Sequence, residues 1–171
     1  VVEDAPRVLV LTTFEIDGTE HALTSSAPAD SAVVSLDVSR DGARLLLYLS
    51  TPLGPRLAVA GIIRDQKNVP TALGQLEYLP VASNAPIDAT WVDARTVATV
   101  SRGGEVAPVT LYEIGGPSAT FGQVPDASTI VGGNGGADGL RVLRTSGEVL
   151  RPQGSSWVTT GLSARVLATK Q

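Results

Sequence analysis

The chain has 171 residues, 17.6 kDa and a formal net charge of −4, enough for one domain with a sizeable core. Hydrophobic residues make up 43% and charged ones only 18%, which excludes a disordered chain. Its 11 Arg and two Lys form no basic cluster and aromatics are only 4%, which argues against a nucleic-acid platform.

No apolar run approaches the ~20 residues that span a bilayer, so no direct membrane insertion is expected of this chain. The absence of Cys excludes disulfides and thiolate metal sites. The chain starts at Val1, contains no Met and shows no signal peptide, as expected of part of a longer polypeptide. The apolar residues are small and β-branched, and the 18 Gly and 11 Pro fall between apolar runs. Gly or Pro interrupts nearly every window of helix length, with Leu162–Gln171 the one stretch that also suits a helix. The expected fold class is all-β.

In chain order, Arg7–Phe14 and Thr19–Thr24 read as two strands joined at Asp17-Gly18, a hairpin signal. Ala32–Ser39 alternates, with Val34, Leu36 and Val38 on one face and Ser35, Asp37 and Ser39 on the other, as a half-buried strand does. Asp41-Gly42 then turns the chain into Arg44–Leu49, a short, nearly continuous apolar run that suits a strand buried on both faces. Arg56–Ile63 follows as a third strand and Thr71–Gln75 as a fourth, with Glu77–Pro86 expected to be a loop. The pattern returns in Ile87–Trp91, Thr96–Val100, Pro108–Ile114 and Ala119–Gln123, and Phe121-Gly122-Gln123 matches Leu73-Gly74-Gln75. A third copy runs through Ser128–Val131, the glycine-rich turn 132–139, Leu140–Arg144, Val149–Arg151 and Ser156–Thr159.

The period of about 40–50 residues is that of four-stranded propeller blades. The expectation is a β-propeller portion of four-stranded antiparallel blades, at 32–75, 87–123 and 128–160, within a single domain of residues 1–171. Residues 7–28 supply the last two strands of a further blade. Propellers close with about 4–8 blades, so the missing blades are expected in an N-terminal part of the parent protein. The remainder of its own propeller is thus one expected partner.

Ser39-Arg40-Asp41-Gly42-Ala43-Arg44, Gly61-Ile62-Ile63-Arg64-Asp65 and Trp91-Val92-Asp93-Ala94-Arg95-Thr96-Val97 resemble, in order, the C-terminal β-propeller of the actinobacterial LpqB lipoprotein family. Leu140–Arg144, Thr145–Glu148 and Trp157 fit its last blade, so the resemblance spans about Arg7 to Gly161. It implies a non-enzymatic, protein-binding role at the cell envelope, extracytoplasmic and held by a lipid anchor on the parent protein. It also implies a partner, the extracytoplasmic domain of the sensor histidine kinase MtrB, and modulation of two-component signalling. The family brings no catalytic residues to carry over, and no cofactor or metal is implied.

Several motifs admit chemistry but read more simply as structure. Ser39-x-Asp41 begins like the Asp-box of sialidase-type propellers, yet Ala43 and Leu46 stand where the box has Gly and Trp, so Asp41 is expected to bond its own turn. In the turn 132–139, Ala137 occupies the carboxylate position of the calcium-binding nonapeptide, which points to a flexible turn. His21, the one histidine, would have to be the base of any Ser-His-Asp hydrolase, and no Gly-x-Ser-x-Gly elbow accompanies it. Asp37, Asp41, Asp88 and Asp93 recur at blade entries, where equivalent turns explain them. Trp91 and Trp157 are expected to pack between blades, although tryptophan also anchors interfaces. No residue is assigned as catalytic, cofactor-binding or metal-ligating. The alternatives are an envelope hydrolase whose propeller-centre site is completed by upstream residues, and a purely architectural module.

Overall fold

The computed structural model describes residues 10–14, 18–81 and 86–165, and its regular elements are β-strands plus one turn of 3-10 helix. The chain divides into two compact units, Val1–Leu79 and Pro80–Gln171. As expected, it is all-β, with the antiparallel four-stranded sheets of a β-propeller portion.

In the first unit, β1 (Val10–Phe14) and β2 (Glu20–Thr24) form a two-stranded sheet. Arg7–Leu9 and Asp17 lie outside the described residues. A larger sheet follows from β3 (Ala32–Val38), β4 (Arg44–Thr51), β5 (Gly54–Arg64), β6 (Pro70–Leu73) and β7 (Glu77–Tyr78). The β3–β4 turn is built from its own polar residues. Asp41 accepts hydrogen bonds from the Ser39 hydroxyl at 2.6 Å and from the Ala43 N–H at 3.0 Å, and Gly42 has φ 66°. Across the turn, Arg64 reaches from β5 to donate to the Gly42 carbonyl at 3.0 Å.

Two expectations change here. A bulge at Val34 shifts the pairing between Val33 and Ser35, so Val33, not Val34, joins Val38 against the core. Glu77–Tyr78 is not loop but strand. β6 pairs with the end of β5 and β7 with its middle, and the Gly74 N–H bonds the Gly61 carbonyl between them. An eleven-residue β5 has more edge than the four-residue β6 can cover. The core of this unit joins Leu23 of β2 to Leu45, Leu47, Leu49, Ala58, Ala60, Leu73 and Leu76. Leu46, Leu57 and Val59 alternate with these and are also buried, so β4 is covered on both faces, as its apolar run predicts.

The second unit holds two four-stranded sheets. The first is β8 (Pro86–Trp91), β9 (Thr96–Ser101), β10 (Val106–Glu113) and β11 (Ser118–Pro125). The second is β12 (Ala127–Val131), β13 (Arg141–Arg144), β14 (Glu148–Gln153) and β15 (Ser156–Ser163). Of Leu162–Gln171, Leu162 and Ser163 complete β15, and 166–171 lie outside the described residues. The sheets share one core, in which Ala98, Val100 and Val109 of the first meet Ile130, Leu140, Val142 and Leu150 of the second.

Their first strands are joined by side chains. Asp88 on β8 accepts the Ile130 N–H at 3.0 Å, and Thr90 accepts the Gly132 N–H at 3.0 Å, each across 42 positions of sequence. That separation is the repeat length made physical. The turn 132–139 is also tighter than its glycines suggest. A Cβ on Gly132 would run into the Trp91 carbonyl oxygen, and one on Gly133 would lie 2.5 Å from that of Gly139. These glycines serve close backbone packing, where a flexible turn was expected.

Three stability outcomes follow, each read from denaturant melts. Gly132→Ala forces the Trp91 peptide aside and costs about 1–3 kcal/mol. Asp88→Ala leaves the Ile130 N–H without its acceptor and costs about 1–3 kcal/mol, with Asp88→Asn retaining part of it. Gly42→Val places a β-branched residue at positive φ and costs about 1 kcal/mol or more.

Candidate functional site

The sequence-selected residues serve separate local roles within each unit. Asp41 and Asp93 each hold a turn, the Asp93 carboxylate accepting the Arg95 and Thr96 N–H groups at 2.8 Å. Asp88 does something different, clamping one sheet to the next from mid-strand. The Ser39 hydroxyl bond, the Ala43 N–H and the nearby Arg44 together hold the Asp41 carboxyl below its ordinary range. His21 sits half-buried on β2, paired in register with Thr13. Among the described residues, no three His, Asp or Glu side chains gather as a metal site would need.

Trp91 is buried, so it offers no anchor on the surface. Trp157 on β15 packs against the neighbouring sheet, edge-on to Phe121 with ring centroids 6.0 Å apart at 87°. Its ring lies over Gly122, where a Cβ would come within 2.6 Å of the indole nitrogen. The indole N–H is buried there and has no hydrogen-bond partner among the described residues. Packing between blades, as the sequence suggested, is what Trp157 does.

The richest polar arrangement is one that the motifs did not single out. Asp126 alone separates β11 from β12, with φ 53°, a conformation that Asp tolerates better than most residues. Arg144 at the end of β13 braces this corner. Its guanidinium donates to the Pro125 carbonyl at 3.2 Å, to Glu148 at 2.7 Å and to Asp126 at 3.4 Å. The Asp126 carbonyl accepts the Thr145 N–H at 2.8 Å, which ties the β13–β14 turn to the same corner. The Arg144 hydrogen bond, with help from the Thr159 hydroxyl, lowers the Glu148 pKa, and Glu148 in turn raises that of Arg144.

Beside this knot opens a cleft of about 640 Å³, lined by Ser128, Thr145, Ser146, Ser163, Arg144 and Arg165 among others. The Ser128 hydroxyl donates to the Leu143 carbonyl at 3.0 Å. The cleft presents hydroxyls and the guanidiniums of Arg144 and Arg165, that of Arg144 already committed to two carboxylates. Sequence offered one signal for it, Arg144 and Glu148 flanking the Thr145–Gly147 turn with opposite charges.

The family model described as the lipoprotein LpqB beta-propeller domain matches residues 1–164. The chain belongs to this family. No curated protein matches it. The two-sheet core, the 42-residue strand-to-strand spacing and the Arg144 corner are therefore features of an LpqB-type propeller domain. The family's description as a lipoprotein places it with the envelope-associated proteins.

Acid should expose the carboxylate bonds of this LpqB domain. Asp41 and Glu148 titrate lower in the folded chain than in the unfolded one. Their contribution is therefore complete above the ordinary carboxylate range and is lost as pH falls through it toward the lowered folded values. Melting temperature should drop over that window, and Glu148→Gln should make the drop shallower while lowering stability at neutral pH.

Proposed function

We propose that this chain is the protein-binding propeller portion of an envelope lipoprotein and acts without catalysis. It docks on the extracytoplasmic domain of an MtrB-type sensor histidine kinase and modulates two-component signalling in an actinobacterial envelope. A lipid anchor at the N-terminus of the parent protein holds it on the outer side of the membrane. The observation that carries the reading is the family match over residues 1–164. It is supported by how the acidic groups are spent. Asp41, Asp65 and Asp93 bond turn N–H groups, Asp88 bonds Ile130, and Asp126 and Glu148 bond Arg144. Carboxylates so engaged build a scaffold for a surface, and the partner reading asks no more of them.

Titration calorimetry of the full-length protein, without its lipid, against the soluble kinase domain tests this. Saturable binding with a Kd of about 1 μM or tighter, an interaction of about −8 kcal/mol, is the expected result. No heat and no complex up to about 1 mM would refute it. Esterase, peptidase and glycosidase assays should read zero; an activity lost in His21→Ala would put the envelope hydrolase in its place.

A further inference from the structure

The glycine-rich turn between β12 and β13 has a packed base and an open tip. At the base, Gly133 and Gly139 pack backbone to backbone, and a Cβ on Gly139 would also come within 2.7 Å of the Asn134 carbonyl oxygen. At the tip, Asn134 and Gly135 are exposed. A Cβ on Gly135 would meet only the Gly139 nitrogen, at 4.0 Å, and one on Gly136 would meet nothing within 4 Å. Gly135 has φ 109°, and neither its N–H nor the Asn134 side chain has a hydrogen-bond partner among the described residues. Asn134 thus has a free side-chain amide beside a free backbone nitrogen, with no side chain on the next residue to keep them apart.

We infer that Asn134 is a site of spontaneous covalent modification, deamidation through a cyclic imide. The Gly135 nitrogen gives its proton to water or hydroxide and attacks Cγ of Asn134. A new N–C bond forms, the Cγ–Nδ2 bond breaks, and the amide nitrogen leaves as ammonia. Water then opens the imide at either carbonyl, yielding aspartate or its isoaspartyl isomer. One water enters, one ammonia leaves, and nothing is oxidised or reduced. The structure separates this residue from its nearest rivals. Asn68 is also exposed, but the nitrogen that would have to attack is that of Val69, whose N–H donates to the Asp65 carboxylate at 2.9 Å. Asp41-Gly42 could close the same ring, but the Gly42 N–H is held by the Ser39 carbonyl at 2.7 Å and the Asp41 carboxylate by Ser39 and Ala43. In the isoaspartyl product the main chain runs through the former side chain and gains a methylene. The Asn134 carbonyl beside Gly139 then becomes a free carboxylate, so the packed base opens and the turn loosens above buried Leu140. This inference does not depend on the kinase partner.

The full-length protein, held in warm neutral buffer, is sampled over time by peptide mapping with mass spectrometry that distinguishes aspartyl from isoaspartyl products. In the folded protein Asn134 should convert about tenfold faster than Asn68 or more, and Asn134→Gln should abolish the isoaspartyl signal from this peptide. The isoaspartyl fraction, separated by charge, should melt below freshly prepared Asn134→Asp, which carries the same charge on an unaltered backbone. Conversion of Asn134 no faster than that of Asn68 overturns the inference. So does conversion seen only after unfolding in urea, which would mean that the folded turn protects the amide. Equal melting of the isoaspartyl fraction and Asn134→Asp overturns the loosening of the turn.

Discussion

Asp88 and Thr90 reach from one sheet to the backbone of the next, and the second unit depends on that reach. Neighbouring sheets in such an array share no backbone ladder, so apolar packing alone would leave their relative slide weakly fixed. Two side-chain acceptors spaced two residues apart, bonding Ile130 and Gly132, set the slide in steps of one strand pleat. Once it is set, Ala98, Val100 and Val109 meet Ile130, Val142 and Leu150, and the core closes. Gly132 completes the fit, since the Trp91 carbonyl occupies the space a Cβ would need.

The same economy of polar groups appears at the edges of the sheets. Asp41, Asp65 and Asp93 hold turns, and Arg144 braces the one-residue corner at Asp126. These bonds are exposed or half-exposed, so each adds little to stability, but each fixes a loop in one shape. Loops fixed in this way on the sheets of each unit are consistent with the partner reading proposed above.

Much of the fold was legible because its signals are local. Asp41-Gly42 between two apolar runs marks a hairpin whatever surrounds it, and Arg44–Leu49 is apolar on both faces because both are covered. The Val34 bulge was not legible: a shift of one residue leaves the alternation of Leu36 and Val38 intact and exchanges Val34 for Val33. Strand β7 was hidden too, because two residues carry no period, and what makes them strand is the length of β5 beside them. The glycine-rich turn misled for a related reason. Glycine permits both flexibility and close contact, and only the approach of the Trp91 carbonyl decides which one Gly132 serves.

The candidate surface divides in the same way. The family resemblance rests on runs such as Ser39–Arg44 and Trp91–Val97, which read directly from the chain. The use of Asp88 does not, since its partner lies 42 positions away and is a backbone N–H that every residue but proline possesses. Arg144 likewise gains its role from Pro125 and Asp126, brought to it by strand pairing. By itself the sequence determined the strands, the hairpin turns and the repeat, because these depend on side-chain alternation and on glycine at positive φ. Only the tertiary structure decided which carboxylates hold turns and which hold sheets, because that depends on what each strand meets across space.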